Sequence, residues 1–317
     1  MTSNTPAPPH LHRAHRGHGP APENDLDLAE LLDLDAVHAA PFVQSALDAA
    51  ALALGRQPRV IVDLGAGTGT GTVALATRFP EARVLALDAS ARMLERVRAS
   101  SSPSQLAARV ETHLVDLDDD WTAVVSGHVD LAWAALSLHH TSSPARVLQQ
   151  LFAMLQPGGV AVVSEFTGAT AYRPADLGTG RDGVGQRLVA ALAGRGYPVT
   201  ADWTEALTAA GFDPVDRHDT SVDVSSQTVE GARFLELQMA RTRHLLAGDL
   251  DPADIDASHL DADDLAAIDA AIDSVSSGGA RLDYSSPRVF WVAVKPATAT
   301  ATTAATTAAT TATGVDR

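Results

Sequence analysis

Apolar and polar positions along this chain switch repeatedly between two periods. Short apolar runs at Val60–Val62, Arg83–Asp88, Val110–Val115, His128–Ala134 and Gly159–Phe166 have the length and β-branched content of buried parallel strands. Between them, apolar residues fall three and four apart. Thr70–Phe79 reads as a helix stopped by Pro80, Ala91–Ala99 as a helix capped by Ser90, and Ala145–Leu155 as a helix with Val147, Leu148, Leu151 and Leu155 on one face. Such alternation predicts a parallel sheet covered by helices on both faces. Upstream, residues 26–54 read as two helices broken near Pro41. Downstream, Trp203–Ala210 is a helix ended by Gly211, and Phe212–Val222 is a sixth strand. Two amphipathic helices follow, Val229–Ala247 and Ala262–Val275, the second capped by Asp261 with Leu260 stapled to Leu265. Pro287–Lys295 is a seventh strand.

The ends follow neither period. Residues 1–24 are rich in Pro, His and Gly, with His10, His12, His15 and His18 close together; this is read as a solvated, disordered tail rather than a metal-binding tract. Residues 297–317 are dominated by Ala and Thr and read as a second disordered tail. The N-terminus lacks the apolar core of a signal peptide, and no run is apolar enough to span a bilayer. Among 317 residues there are no cysteines, which excludes disulfides, thiolate zinc sites and cysteine nucleophiles and suits a reducing cytoplasm. No metal site is expected. The net charge of −16 disfavours nucleic acid as a partner.

Candidate chemistry begins where the first strand ends, at Asp63-Leu64-Gly65-Ala66-Gly67-Thr68-Gly69-Thr70-Gly71. Alternate glycines let the backbone turn tightly and let a ligand approach it. A dinucleotide fingerprint requires a third glycine where Thr70 or Thr72 stands, and a P-loop requires a lysine; no Lys or Arg occurs between Val60 and Thr77. Asp63 instead repels a pyrophosphate and attracts an ammonium or sulfonium. Asp88 ends the second strand, where a carboxylate can accept both hydrogen bonds of a ribose diol. Asp116 ends the third, within reach of an adenine amino group. Together these acids suit a nucleoside without phosphates.

With the further pieces Leu87-Asp88-Ala89-Ser90, Met93-Leu94, Val115-Asp116-Leu117, Val129–Trp133 running into Leu138-His139-His140, and Leu155-Gln156-Pro157-Gly158-Gly159, the chain resembles the class I S-adenosylmethionine-dependent methyltransferases over residues 60–166. The likeness is greatest to the small-molecule group that includes ubiquinone and menaquinone methyltransferases. The resemblance implies an α/β, Rossmann-like, seven-stranded sheet of order 3-2-1-4-5-7-6 with strand seven antiparallel, helices on both faces and a helical cap. It implies S-adenosyl-L-methionine as cofactor, with Gly65 and Gly67 along the methionine part and Ala66 within the same loop. Asp88 with Ala89 would hold the ribose, Asp116 and Leu117 the adenine, Met93 its flank, and Ala134 would offer backbone contacts to the methionine moiety.

The acceptor is expected to be a small molecule methylated on O, N or C, and oligomeric state stays open. His139 and His140, just after strand four, are candidate bases or packing residues; Glu165, near the end of strand five, is a candidate base or a cap of the following turn. The expected organisation is lid helices over 25–58 and a methyltransferase domain over 59–296. That domain carries a helical insertion at 223–288 that caps the acceptor pocket, with Phe234, Met239, Arg241 and His244 as candidate lining. The alternatives are an NAD(P)-dependent oxidoreductase, against which the glycine count and Asp63 speak, and a non-catalytic nucleoside-binding protein on the same fold.

Overall fold

Five apolar runs become the parallel half of one sheet: β1 (Val60–Leu64), β2 (Arg83–Asp88), β3 (Val110–Leu114), β4 (Val129–Ala135) and β5 (Leu155–Phe166). In this computed structural model, residues 24–125, 127–247, 260–279 and 281–297 are described; both predicted tails lie outside them, apart from residue 24 at one end and residue 297 at the other. The strands stand in the order β3-β2-β1-β4-β5, all parallel, and β8 (Asp283–Val294) then pairs antiparallel with β5. The far edge of β8 carries β7 (Val215–Ser225), also antiparallel. The predicted seven-strand order is therefore present, with the sequence's sixth and seventh strands appearing as β7 and β8. Sequence reading missed β6 (Ala171–Arg173), a short strand that pairs with the start of β8 at Tyr172↔Tyr284.

Two expected strand starts shift. The sixth strand begins at Val215 rather than Phe212, whose ring sits edge-on to Phe152 at 5.0 Å in the core. Gly211 before it is obligatory, because a Cβ there would come within 2.8 Å of the Phe152 ring. The last strand begins at Asp283, not Pro287, because Asp283–Ser285 has strand partners on both edges, in β6 and β7. The helical insertion accordingly runs from 226 to 282 rather than 223 to 288.

Helices cover both faces. On one, α6 (Pro144–Met154) and α8 (Thr204–Ala210) bury Val147, Leu148, Leu151 and Leu207 against Val62, Leu64, Val163 and Trp291. On the other, α2 (Ala40–Leu54) and α3 (Thr70–Arg78), with Phe79 just past its end, bury Phe42, Leu47, Leu75 and Phe79 against Ile61, Leu131, Trp133 and Phe290. The helix α4 (Ala91–Ser100), capped by the Ser90 hydroxyl as predicted, places Leu94 and Val97 on Ala66 and Ala86; a short turn, α5 (Ser104–Ala107), precedes β3.

A separate apolar cluster lies beyond the carboxyl ends of the strands. It joins Leu31 of α1 (Asn24–His38), Val184 and Leu188 of α7 (Val184–Gly194), Phe234, Leu235 and Met239 of α9 (Val229–Ala247), and Ile268 of α10 (Ala262–Ser276) to Tyr172 and Tyr284. Asp261 caps α10 in a reciprocal box with Asp264. The insertion thus has its own core, and α1 closes its side. No single helix among the described residues is long and apolar enough to cross a membrane; Leu28–His38 with Ala40–Leu54 has the length and composition as a pair, but the two bend by 67°.

Candidate active site

The glycine loop is shaped by three left-handed backbones, Gly65, Gly67 and Gly69, at φ of 72°, 54° and 91°. Two are forced by packing. A Cβ at Gly65 would lie 2.5 Å from that of Ser137, and one at Gly69 would lie 2.9 Å from the Val97 Cα. Around Gly67 there is nothing within 4 Å of an added Cβ, so the backbone is open to an approaching molecule there. The Ser137 hydroxyl donates to the Leu64 carbonyl at 2.7 Å and ties the end of β4 to the end of β1. Beside it Leu136 holds φ of 53°, an arrangement that costs a leucine about 1–2 kcal/mol.

Asp88 accepts the Gly67 and Ser90 N–H groups, each at 2.8 Å, one on each oxygen. A carboxylate has about four lone-pair sites, so acceptor capacity remains for a diol. The Val115 N–H reaches the Asp88 carbonyl at 3.0 Å, bringing Asp116 to the neighbouring strand end. Asp116 itself is exposed and accepts the Asp118 N–H, while Leu117 is buried and Met93 half-buried. Ala89 is exposed, and the Ala134 side chain is packed into the core.

Asp63 is buried and accepts the Thr72 hydroxyl at 2.6 Å. Burial pushes its carboxyl up to about 7, the Thr72 bond opposes this, and the Asp88 charge adds to it. Its second oxygen has no protein partner among the described residues. An open glycine backbone, a diol acceptor and a buried carboxylate fit an aminoacyl nucleoside.

A second constellation lies at the ends of β4 and β5. His139 Nδ1 is 2.9 and 2.8 Å from the two oxygens of Glu165, which is wholly buried. Glu165 also accepts the Phe166 N–H at 3.1 Å. The histidine pair therefore divides: His139 is oriented by a carboxylate, whereas His140 sits on the exposed side, ring centroids 4.1 Å apart. Desolvation, then the neighbouring His139 and Arg241, push His140 down to about 4, so it is neutral at pH 7.

Arg241 comes from α9, which packs on α1, α10 and β7. Phe234 of the same helix meets His38 of α1 at 5.6 Å and Tyr284 at 5.7 Å. Of the other two expected lining residues, Met239 is buried with Phe234 in the cap core and His244, like Arg241, is exposed.

Sequence reading missed Arg288 and its pairing with α1. Arg288, 3% exposed, donates to both oxygens of Asp35 on α1 and stacks over Phe166 at 5.1 Å. Two further pairs fasten α1, Asp33 to Arg96 of α4 and Glu30 to Arg233 of α9. A lone arginine within the apolar run Val289–Val294 and its approach was the available signal, because a charge in a buried strand needs a partner.

Comparison with known proteins bears on this geometry. Residues 61–159 match the family model described as Methyltransferase domain. Trans-aconitate 2-methyltransferase of Deinococcus radiodurans is 35% identical over 155 residues, 49% of this chain and 52% of that protein. Malonyl-[acyl-carrier protein] O-methyltransferase of Laribacter hongkongensis is 34% identical over 107 residues, 32% of this chain and 36% of that one. Demethylmenaquinone methyltransferase of Chlamydia trachomatis is 32% identical over 119 residues, 37% of this chain and 48% of that one. The chain thus spans about half, or less, of the length of these relatives.

Proposed function

We propose that this chain, whose residues 61–159 match a methyltransferase-domain model, is a class I S-adenosylmethionine-dependent enzyme that methylates a small-molecule acceptor at the carboxyl edge of its sheet. The observation that carries the reading is the buried Asp63 beside an open glycine loop whose next acid, Asp88, keeps spare acceptor capacity. S-adenosylmethionine, when bound, supplies an electrophilic methyl group on a sulfonium. Gly65, Ala66 and Gly67 would hold its amino-acid part with Asp63 facing the ammonium, Asp88 and Ala89 its ribose, and Met93, Asp116, Leu117 and the Ala134 backbone the remainder.

The chain's own chemistry is positioning and proton handling. His139 Nδ1–H donates to Glu165, which fixes the tautomer and leaves Nε2 as the acceptor of a proton from an acceptor hydroxyl. The imidazolium so formed is stabilised by the buried Glu165 carboxylate until the proton passes to solvent. Such general-base assistance is worth roughly 10²–10⁴-fold. His140, held neutral, adds no positive charge opposing that protonation. α1 and α9 exclude water from above.

The finer placement among ubiquinone and menaquinone methyltransferase-like enzymes is supported by the similarity to demethylmenaquinone methyltransferase, which stands beside relatives named for trans-aconitate and malonyl-[acyl-carrier protein]. A cytoplasmic setting is supported by the absence of cysteine. Titration calorimetry with S-adenosylmethionine and NAD tests the assignment: the first binds, the second does not. Asp88→Ala removes a charged hydrogen-bond acceptor worth about 1.5–3 kcal/mol, so S-adenosylmethionine affinity falls roughly 10- to 150-fold. Unchanged affinity in that variant would remove the ribose role.

A further inference from the structure

An indole N–H shut away from water normally finds an acceptor, because burying an unmet donor costs free energy. Trp133 breaks this rule. It stands 2% exposed in β4, and its Nε1 has no hydrogen bond among the described residues. Strand register sets it beside the acid of the glycine loop: Trp133 pairs with Asp63 across β4 and β1. The two side chains share the face that α2 and α3 cover. Trp133 packs there with Ile61 and Leu131, and Asp63, two residues on from Ile61, accepts the Thr72 hydroxyl of α3.

Gly71, in the first turn of α3, completes the arrangement. A Cβ there would lie 3.3 Å from Trp133 Nε1 and 3.5 Å from Asp63 Oδ2. The residue lies inside a helix, so no left-handed turn demands glycine, and alanine is the better helix former. What the glycine keeps is clear space bordered by a donor on one side and an acceptor on the other. Oδ2 already takes the Thr72 hydroxyl at 2.6 Å, and a carboxylate oxygen has room for a second donor. A turn of the carboxylate about its terminal torsion, which is broad, brings that donor within reach. Burial and the charge of Asp88 on β2 both favour the neutral acid, so the ionised form is the one that gains from another N–H.

Resting on the methyltransferase reading above, we propose that Trp133 is a positioning residue for the cofactor's ammonium: its indole N–H donates to the ionised Asp63 carboxylate when S-adenosylmethionine binds, across the space that Gly71 leaves open. The direction is fixed, because an indole N–H only donates and a carboxylate only accepts. Trp133 acts through Asp63 and not on the reacting atoms. The inference gives Gly71 and the buried indole a shared purpose in a loop that has no lysine or arginine to help hold a charged ligand.

The test uses the full chain at pH 8, with S-adenosylmethionine titrated by calorimetry and the indole groups followed by nitrogen–proton correlation spectra. The Trp133 signal is the one missing from Trp133→Phe. Cofactor saturation moves that proton downfield in the wild type, and moves it less in Asp63→Asn, whose neutral amide is the weaker acceptor. Trp133→Phe and Gly71→Ala each weaken binding roughly tenfold, and neither weakens it further once Asp63 is Asn. Should Trp133→Phe not fold, Gly71→Ala gives the same reading in a helix that alanine favours. A Trp133 proton that stays in place or shifts equally in Asp63→Asn, full affinity in Gly71→Ala, or losses that add in full to that of Asp63→Asn overturn the proposal. Failure of S-adenosylmethionine to bind the wild type at all is a separate result that overturns the methyltransferase reading instead.

Discussion

Glu165→Gln lowers methyl transfer by roughly 10²–10⁴-fold while S-adenosylhomocysteine still binds with its original affinity. The reason is the proton's position on His139. A carboxylate can only accept, so it holds the imidazole hydrogen on Nδ1 and keeps Nε2 bare. An amide in its place can donate to Nδ1, which moves the hydrogen to Nε2 and leaves nothing to receive the acceptor's proton. Glutamine keeps the volume of a residue with no exposure, so packing is little disturbed. Single-turnover transfer from a radiolabelled methyl donor measures the loss. A kcat held within threefold of the original would reduce the pair to a packing contact.

The second large effect lies at Asp63, where cofactor binding and stability pull in opposite directions. Its carboxyl is raised by burial from 3.8 to about 7. An acid with a raised folded-state pKa adds stability that is complete below its unfolded value and is lost as pH rises through the folded value. Across about three pH units this loss is about 4 kcal/mol, an upper figure for so buried a group. Asp63→Asn keeps the acceptor for Thr72 and removes the charge. It therefore melts at higher temperature than the wild type at pH 8, and the difference narrows as pH falls and closes only near the unfolded value of 3.8. The same variant loses the charge that faces the cofactor's ammonium and binds S-adenosylmethionine at least tenfold more weakly. In the wild type, ammonium binding requires the ionised form, so affinity is full above pH 7 and falls towards tenfold per unit below it. Melting curves and calorimetry between pH 5.5 and 8.5 read both effects. A variant that is less stable at pH 8 would show that Asp63 is not desolvated.

What the sequence could and could not disclose follows from how local each signal is. The parallel strands declared themselves because both faces of Val60–Leu64 and Arg83–Asp88 are buried, which forces continuous apolar runs. The glycine loop was legible because steric demands at Gly65 and Gly69 leave no substitute. Asp88 was legible from its place at a strand end. By contrast, β6 is three residues long with polar neighbours, and only its pairing with β8 makes it a strand. His139 and Glu165 were each visible as candidates, but not as a pair, because 26 residues and a helix separate them. Arg288 and Asp35 are 253 residues apart, and no period in the chain links them. Trp133 read only as part of an apolar strand; what marks it is a missing partner, which only the packed chain reveals.

Three carboxylates of α1, Asp35, Asp33 and Glu30, are unequal fastenings. Asp35 grips a guanidinium inside the protein, whereas Asp33 and Glu30 hold theirs at the water's edge, where each such pair contributes no more than about 1 kcal/mol and weakens as salt is added. The helix is thus pinned at one point and merely tacked at two, so it would swing about Asp35 rather than lift away. An enzyme built so would release a bulky methylated product faster in brine than in dilute buffer, without any change in the speed of the bond-making itself.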